Sequence, residues 1–409
     1  MLEEGVDALP IADAIVRHFA GVKRDLPWRR TRDPYAIWVS EIMLQQTRVA
    51  TVIPYWERWM QKFPTATALA DAPLDDVLAA WAGLGYYSRA RNLQKGAVEI
   101  GKRYGGALPA RASELRTVPG IGPYTAGAIA SIAFGERAPL VDGNVARVLS
   151  RVYAIEHDIK STAGQRELWA RAAELMTALP AQHAPGDLNQ GLMELGATVC
   201  SPTQPRCLVC PLHGQCKAEQ SGRQTAYPKT APRKKESELP ILAVTAMWLH
   251  DGDDVALVRR APSGLFGGLW ELPPLELATS LGVTRIDRQP VAYWEQTLSH
   301  RRLRVRVVRG SMPERLGKPA DPGYDDSTRV SLRRARELGI AAATTAILTK
   351  YEDDPWSSTR KLSRSSPKAT KRSSRASSAS ATTPTTTTSR RPRGAPRRGS
   401  TSSSTTKGK

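Results

Sequence analysis

The chain has 409 residues, enough for two or three domains that each bury a core, and it carries a formal net charge of +20. Between Ser357 and Lys409 lie 14 Lys or Arg and no Asp or Glu, so the rest of the chain carries only about +6. That balance suits a polyanionic partner such as nucleic acid, or plain solubility, and no stretch reaches the roughly 18 apolar residues of a membrane span.

In chain order, Met1–Asp7 is acidic and lacks the basic stretch and apolar run of a secretion signal, so a cytosolic protein is expected. Residues 11 to about 216 read as an all-α unit. Apolar residues recur at helical spacing, as at Ile11, Ala14, Ile15 and Phe19, and the interruptions are short and carry Gly, Pro or Asp. Within this unit Ile37–Thr47 is apolar nearly all round, which predicts a buried helix with Glu41 at its middle. A carboxyl group in such a setting favours its neutral form and can act as an acid near neutrality. The plain alternative is an ion pair with Arg29 or Arg48.

The run Leu115–Ala126 sets Gly120 and Gly122 around Ile121, after Pro119 and before a helix predicted over Thr125–Ala133. Such a turn bares backbone N–H groups at a helix N-terminus, where phosphate binds without regard to sequence. An ordinary packing joint between two helices would look the same. Further on, Val145, Val148, Leu149 and Val152 share one helical face, which puts Asp142 at or near the N-cap. Capping is the commonest job for such an Asp.

Cys200, Cys207, Cys210 and Cys216 are the chain's 4 cysteines. Clustered so in a cytosolic protein, they read as a metal site rather than disulfides. Four thiolates can hold a [4Fe-4S] cluster or a structural zinc, and composition does not choose between them. Residues 217–240 read as a polar, Pro-containing linker with no apolar periodicity to dock it. Residues 241–350 change character. Ile241–Leu249 and Val255–Val258 read as strands around Asp251-Gly252, Leu303–Val307 alternates at period two, and short helices are predicted over Leu332–Leu338 and Ala341–Leu348. This is a small α+β domain. Residues 351–409 read as a basic Ser/Thr/Arg-rich tail, with disorder expected from Ser357 onward because it has almost no large apolar side chains.

The Glu41 helix, the glycine turn, Asp142 and the spacing Cys200-x6-Cys207-x2-Cys210-x5-Cys216 together resemble the MutY adenine glycosylases of the helix-hairpin-helix, or endonuclease III, superfamily. The likeness runs through nearly all of residues 10–216, including Gly83–Arg91, and more weakly through 240–350. It implies a helix-hairpin-helix glycosylase domain with an iron–sulfur loop, followed by a Nudix-like domain that reads 8-oxoguanine. It also implies a monomer of the bacterial cytosol that acts on double-stranded DNA carrying adenine opposite 8-oxoguanine or guanine.

In that family the base is extruded into a pocket before its glycosidic bond is broken. The resemblance assigns protonation of adenine N7 to Glu41 and stabilisation of the oxocarbenium-like sugar to Asp142, with Tyr124 and Asn144 orienting the acids. Trp28, Arg29, Leu44 and Gln190 match positions around the extruded adenine. Gln45, Thr47, Leu84 and Tyr86 match positions beside the opposing base, although Leu44, Leu84 and Tyr86 suit core packing as well. Gly120 and Gly122 would meet phosphate, and the four Cys would hold one [4Fe-4S] cluster, with Arg206 and Lys217 facing the DNA backbone. The loop Thr297-Leu298-Ser299-His300 matches the family's Phe-Ser-His loop with Leu298 in place of Phe, so that Ser299 would bond the oxidised base.

Three other readings are weaker. Endonuclease III enzymes carry a hairpin Lys where this chain has Tyr124, so a strand-cleaving lyase is disfavoured. A non-catalytic iron–sulfur DNA-binding protein would be expected to lack Glu41 or Asp142. A Nudix hydrolase needs a Glu-rich magnesium helix, and after Gly267-Gly268-Leu269-Trp270-Glu271-Leu272-Pro273 only scattered Glu follow.

Overall fold

Apolar stripes on successive helices dictate the first architecture. The computed structural model describes residues 7–231, 236–298, 300–353 and 361–363. The helices of the first part are α1 (Ala8–Val22), α2 (Pro34–Leu44), α3 (Val49–Lys62), α4 (Ala66–Asp71), α5 (Leu74–Trp81), α6 (Ser88–Tyr104) and α7 (Ala112–Leu115). They continue with α8 (Pro123–Ala133), α9 (Gly143–Val152), α10 (Thr162–Ala178), α11 (Pro185–Thr198) and α12 (Lys217–Gln220). Their starts follow local chemistry. Asp7, Asp33, Thr65, Asp142 and Ser161 each accept a backbone N–H as N-cap, and Pro opens α2, α8 and α11 where a missing N–H costs nothing. One continuous core joins them, with Trp38, Trp59 and Trp81 fully buried at its middle.

Helix α11 is drawn in tightly by glycine. A Cβ at Gly196 would lie 2.6 Å from the Cβ of Asn144 on α9, and one at Gly191 would lie 2.8 Å from Ile15 on α1. Asn189 on the same helix donates to Ser131 Oγ at 2.8 Å and to the Ala138 carbonyl at 2.9 Å. The face of α11 that carries Gln190, Met193 and Glu194 is thereby fixed against α8 and α9.

The second part is a mixed seven-stranded sheet of β1 (Ile241–Asp251), β2 (Asp254–Arg260), β3 (Trp270–Glu271), β4 (Ile286–Thr297), β5 (Arg302–Gly310), β6 (Tyr324–Ser331) and β7 (Lys361–Ser363). The order is β3-β2-β1-β5-β4-β7, with β6 also on β2; β1 runs parallel to β5, and β4 antiparallel to it. Leu303, Val305 and Val307 face a core with Trp248, Trp270 and Trp294, as alternation on β5 predicts. Helices α13 (Leu332–Ala335) and α14 (Ala342–Asp353) follow, and Ile347 and Leu348 of α14 close that core.

Two expectations change, on the linker and on the tail, and one contact goes beyond what was expected. The segment 217–240 is not undocked. Tyr227 is buried, its carbonyl accepts from Arg151, its hydroxyl bonds Glu156, and Ala231 N–H donates to Asp158, so the chain is pinned to the helices up to Ala231. One aromatic and a few backbone bonds do this, which no periodicity announces. The contact beyond expectation is between the sheet and the helices, which share packing. Leu269 and Ala341 join the helical core, Arg91 donates to the Gly267 carbonyl, and Arg259 reaches Asp75 at 3.6 Å, all within one compact unit, Met1–Arg364. In the tail, α14 extends to Asp353 and β7 pairs with β4, so it is not featureless from 351 onward. The remainder of the expected disordered tail lies outside the described residues.

Candidate active site and thiol cavity

Helices α2, α8, α9 and α11 and the turn at Pro27–Arg29 converge on a cleft of about 650 Å³. Its wall includes Trp28, Arg29, Glu41, Leu44, Gln45, Thr47, Tyr124, Asp142, Asn144 and Gln190. Residues far apart in sequence, singled out for three separate reasons, thus meet on one surface.

Glu41 sits in the middle of α2, where every residue from Tyr35 to Met43 is buried. Its partner is Tyr124, at the start of α8, whose hydroxyl donates to Glu41 Oε2 and also lies 3.4 Å from Met193 Sδ. Burial pushes the Glu41 carboxyl from an ordinary 4.5 up to about 7; the Tyr124 bond pulls the other way, and the Asp142 charge adds to the rise. The ion-pair alternative does not hold. Arg29 bonds Glu194 at 2.8 Å, and Arg24 grips the same carboxylate with two bonds of 2.6 and 2.9 Å.

Asp142 is the N-cap of α9. Its Oδ1 accepts from Val145 N–H at 2.7 Å and its Oδ2 from Asn144 Nδ2 at 3.1 Å, while Asn144 Oδ1 accepts from Arg147 at 2.8 Å. Burial raises its pKa, and these donors, which stabilise the charged form, oppose the rise. Capping and chemistry are therefore not exclusive. The bonds that cap the helix also aim a carboxylate into the cleft.

Glu194 and Arg24 escaped the sequence reading. Glu194 follows Gln190 by four residues, so helical spacing on α11 would have put both on one face. Its side chain is 2% exposed. Burial would raise its pKa, yet Arg24 and Arg29 outweigh burial and hold it below the usual carboxylate range.

Other sequence-predicted residues lie elsewhere. Gly120 and Gly122 form the exposed hairpin turn between α7 and α8; Gly120 takes φ 82° and Gly122 caps α8, ahead of Pro123. Leu84 is buried in the helical core rather than on the cleft, the packing alternative. Tyr86 is 49% exposed. It lines a second cleft, of about 330 Å³, with Phe266, Leu298 and His300, so the loop after β4 faces the loop before α6. Ser299 lies outside the described residues.

Cys200, Cys207, Cys210 and Cys216 are unbridged and line one small cavity against Arg151, Leu195 and Leu212. Arg151 Nη1 donates to Cys200 Sγ at 3.2 Å, and Cys216 bonds the Arg151 carbonyl at 3.2 Å. Among the described residues, no three His, Cys, Asp or Glu side chains converge tightly enough to grip a single metal ion.

Residues 39–174, which take in the second half of α2, the hairpin and α9, match the family described as HhH-GPD superfamily base excision DNA repair protein. That match covers about a third of the chain and takes in both the hairpin turn and the capping Asp142. The chain is 44% identical over 302 residues to the adenine DNA glycosylase of Homo sapiens, a match covering 61% of this chain and 55% of that one. It is 42% identical over 256 residues to the adenine DNA glycosylase of Buchnera aphidicola subsp. Baizongia pistaciae (strain Bp), covering 63% and 70%. A solved thermostable thymine-DNA glycosylase superposes with a TM-score of 0.48 at 28% identity, over 53% of this chain and 97% of that one. The chain belongs to the adenine DNA glycosylase family. It spans little more than half the length of the human relative, at 55%.

Proposed function

We propose that the chain is a monofunctional adenine DNA N-glycosylase of base-excision repair, a monomer of the bacterial cytosol, acting on adenine opposite 8-oxoguanine or guanine in duplex DNA. The observation that carries this is the buried Glu41–Tyr124 pair facing the same cleft as Asp142. Glu41, held neutral up to about pH 7 by burial, protonates adenine N7 and makes the base a better leaving group. The C1′–N9 bond breaks toward an oxocarbenium-like sugar, which Asp142 stabilises as a carboxylate and water then captures. Tyr124 and Asn144 orient the two acids. Tyr124 offers no amine to form a Schiff base with the sugar, which disfavours strand cleavage.

Trp28, Arg29, Leu44 and Gln190 surround the extruded base. Gln45, Thr47 and Tyr86 serve the opposing strand, Leu84 supports them from the core, and Gly120 and Gly122 take phosphate. The sheet region acts as a Nudix-like reader whose loop, with Ser299, meets the oxidised base; the position of Leu298 and His300 across from Tyr86 supports this. The four Cys hold one [4Fe-4S] cluster. They line one cavity together, and their spacing, with a single short-spaced pair, supports a cluster over a structural zinc built on two such pairs. When bound, the cluster would cross-link the loop from Cys200, just past α11, to Cys216, the cap of α12; Arg151 of α9 already bonds Cys200 and Ser201. The basic tail adds non-specific, salt-sensitive DNA affinity.

Base release from a labelled duplex with one adenine opposite 8-oxoguanine tests the reading. Strand breaks that appear only after alkali, and vanish in Glu41→Gln, are expected. Breaks without alkali, or no release by cluster-loaded wild type, would overturn it.

A further inference from the structure

One arginine outside the cleft bonds both a turn of the cleft wall and the turn that presents Tyr86 to the second cleft. Arg89, on the first turn of α6, is buried; its two terminal nitrogens donate mostly to main chain from two separate segments, while its Nε has no partner among the described residues. Nη1 donates to the carbonyls of Ile42 and Met43 at 3.0 Å each and to that of Gln45; Nη2 donates to Thr47 Oγ1 at 3.2 Å and to the carbonyls of Leu84 and Gly85 at 3.1 Å each. The first set closes the C-terminus of α2, the helix that carries Glu41, where orphan carbonyls and the helix dipole favour a cation. In the second set the Thr47 bond belongs to that same side, while the Leu84 and Gly85 carbonyls hold the turn that presents Tyr86. The guanidinium also lies over the rings of Trp81 and Tyr86, at 5.2 and 5.6 Å from the centroids.

Each of the two turns contains one non-glycine residue in the left-handed region, Gln46 at φ 56° and Tyr86 at φ 48°. Side chains rarely adopt that backbone unless surrounding bonds impose it. Here the same guanidinium supplies bonds on both sides. A lysine could keep the charge but not the planar fork that reaches two segments at once.

We infer that Arg89 is a positioning residue that locks the Gln45–Thr47 turn of the base cleft to the Leu84–Tyr86 turn, so that the two move as one unit. Its effect on catalysis rests on the proposed function; the coupling of the turns does not. A wedge at Tyr86 that engages the duplex then arrives with the cleft wall already in register for the extruded base.

The test is amide hydrogen exchange on the cluster-loaded full chain, with Arg89→Lys beside wild type, read together with single-turnover adenine release. In wild type, the amides of both turns should open with the same free energy and the same denaturant dependence. In Arg89→Lys, both turns should lose protection together while α10 keeps its own, and the single-turnover rate should fall roughly tenfold or more through misplacement of the cleft wall. Turns that open independently in wild type, or only one turn loosened in the variant, would overturn the coupling; this arm stands even if the variant folds poorly. An unchanged rate per folded molecule would overturn the catalytic consequence. A wild type that releases no adenine would sink the proposed function and leave exchange to decide the hub.

Discussion

The two walls of the cleft treat a buried carboxyl in opposite ways. On the α2 wall, Glu41 has a phenol for a partner and is pushed up to about 7. On the α11 wall, Glu194 has two guanidinium groups and is held below the usual range. Both side chains are nearly inaccessible, so burial alone decides neither; the charge of the partner does. Arg29 links the two walls. It lowers Glu41 through space, but its own bond goes to Glu194, which neutralises it. The acid stays an acid because the neighbouring cation is already engaged.

Four changes would break or sharpen that contrast. The largest is Glu41→Gln, expected to lower single-turnover base release by roughly 10³-fold without weakening duplex binding, as quench-flow and binding assays would show. Next is Glu194→Gln, which takes the shared carboxylate from the largely enclosed Arg29 and the exposed Arg24. It should destabilise the fold by about 3 kcal/mol in urea titration. It should also move the alkaline limb of the rate profile to lower pH, because a freed Arg29 favours ionised Glu41. A limb that stays in place would mean Arg29 does not act on Glu41.

Third is stability against pH. The folded value for Glu41, about 7, lies above its ordinary 4.5, so the folded state holds the proton more tightly. The stability this contributes is fully present below about 4.5 and lost as pH rises through about 7, on the order of 3 kcal/mol. Melting curves of Glu41→Gln should therefore lie above wild type by more at pH 8 than at pH 5. The smallest is Tyr124→Phe. Losing a bond that favours the carboxylate should nudge the alkaline limb upward, opposite in sign to Glu194→Gln, by an amount worth roughly 1 kcal/mol.

Much of this was readable before any coordinates. A helix apolar all round with one Glu in it is a strong local statement, and α2 is buried as that pattern requires. The N-cap at Asp142 followed from the valines behind it, and β5 from its alternation. What stayed hidden depends on partners far away in the chain. Strand β4 contains Pro290 and two register shifts, so its period is broken where it would have been counted. Strand β6 carries Asp325 and Asp326 right after its first residue, poor strand formers that gain salt bridges to Arg259 once folded. The partner of Glu41 could have been Arg29, Arg48 or Tyr124, and only the packing of α8 against α2 selects the tyrosine. The fork of Arg89 joins carbonyls, which carry no side-chain signature at all.

The tight seating of α11 has a consequence for how such a protein fails. At Gly196, where a Cβ would meet Asn144 at 2.6 Å, a single added methyl group shifts the wall bearing Gln190 and Glu194 although it touches no reacting group. Gly191, wedged on α1, is placed the same way. In a population of variants, loss-of-function alleles should therefore accumulate at positions that a map of the cleft leaves blank. Their phenotype would be partial, with a cleft slightly out of true rather than missing.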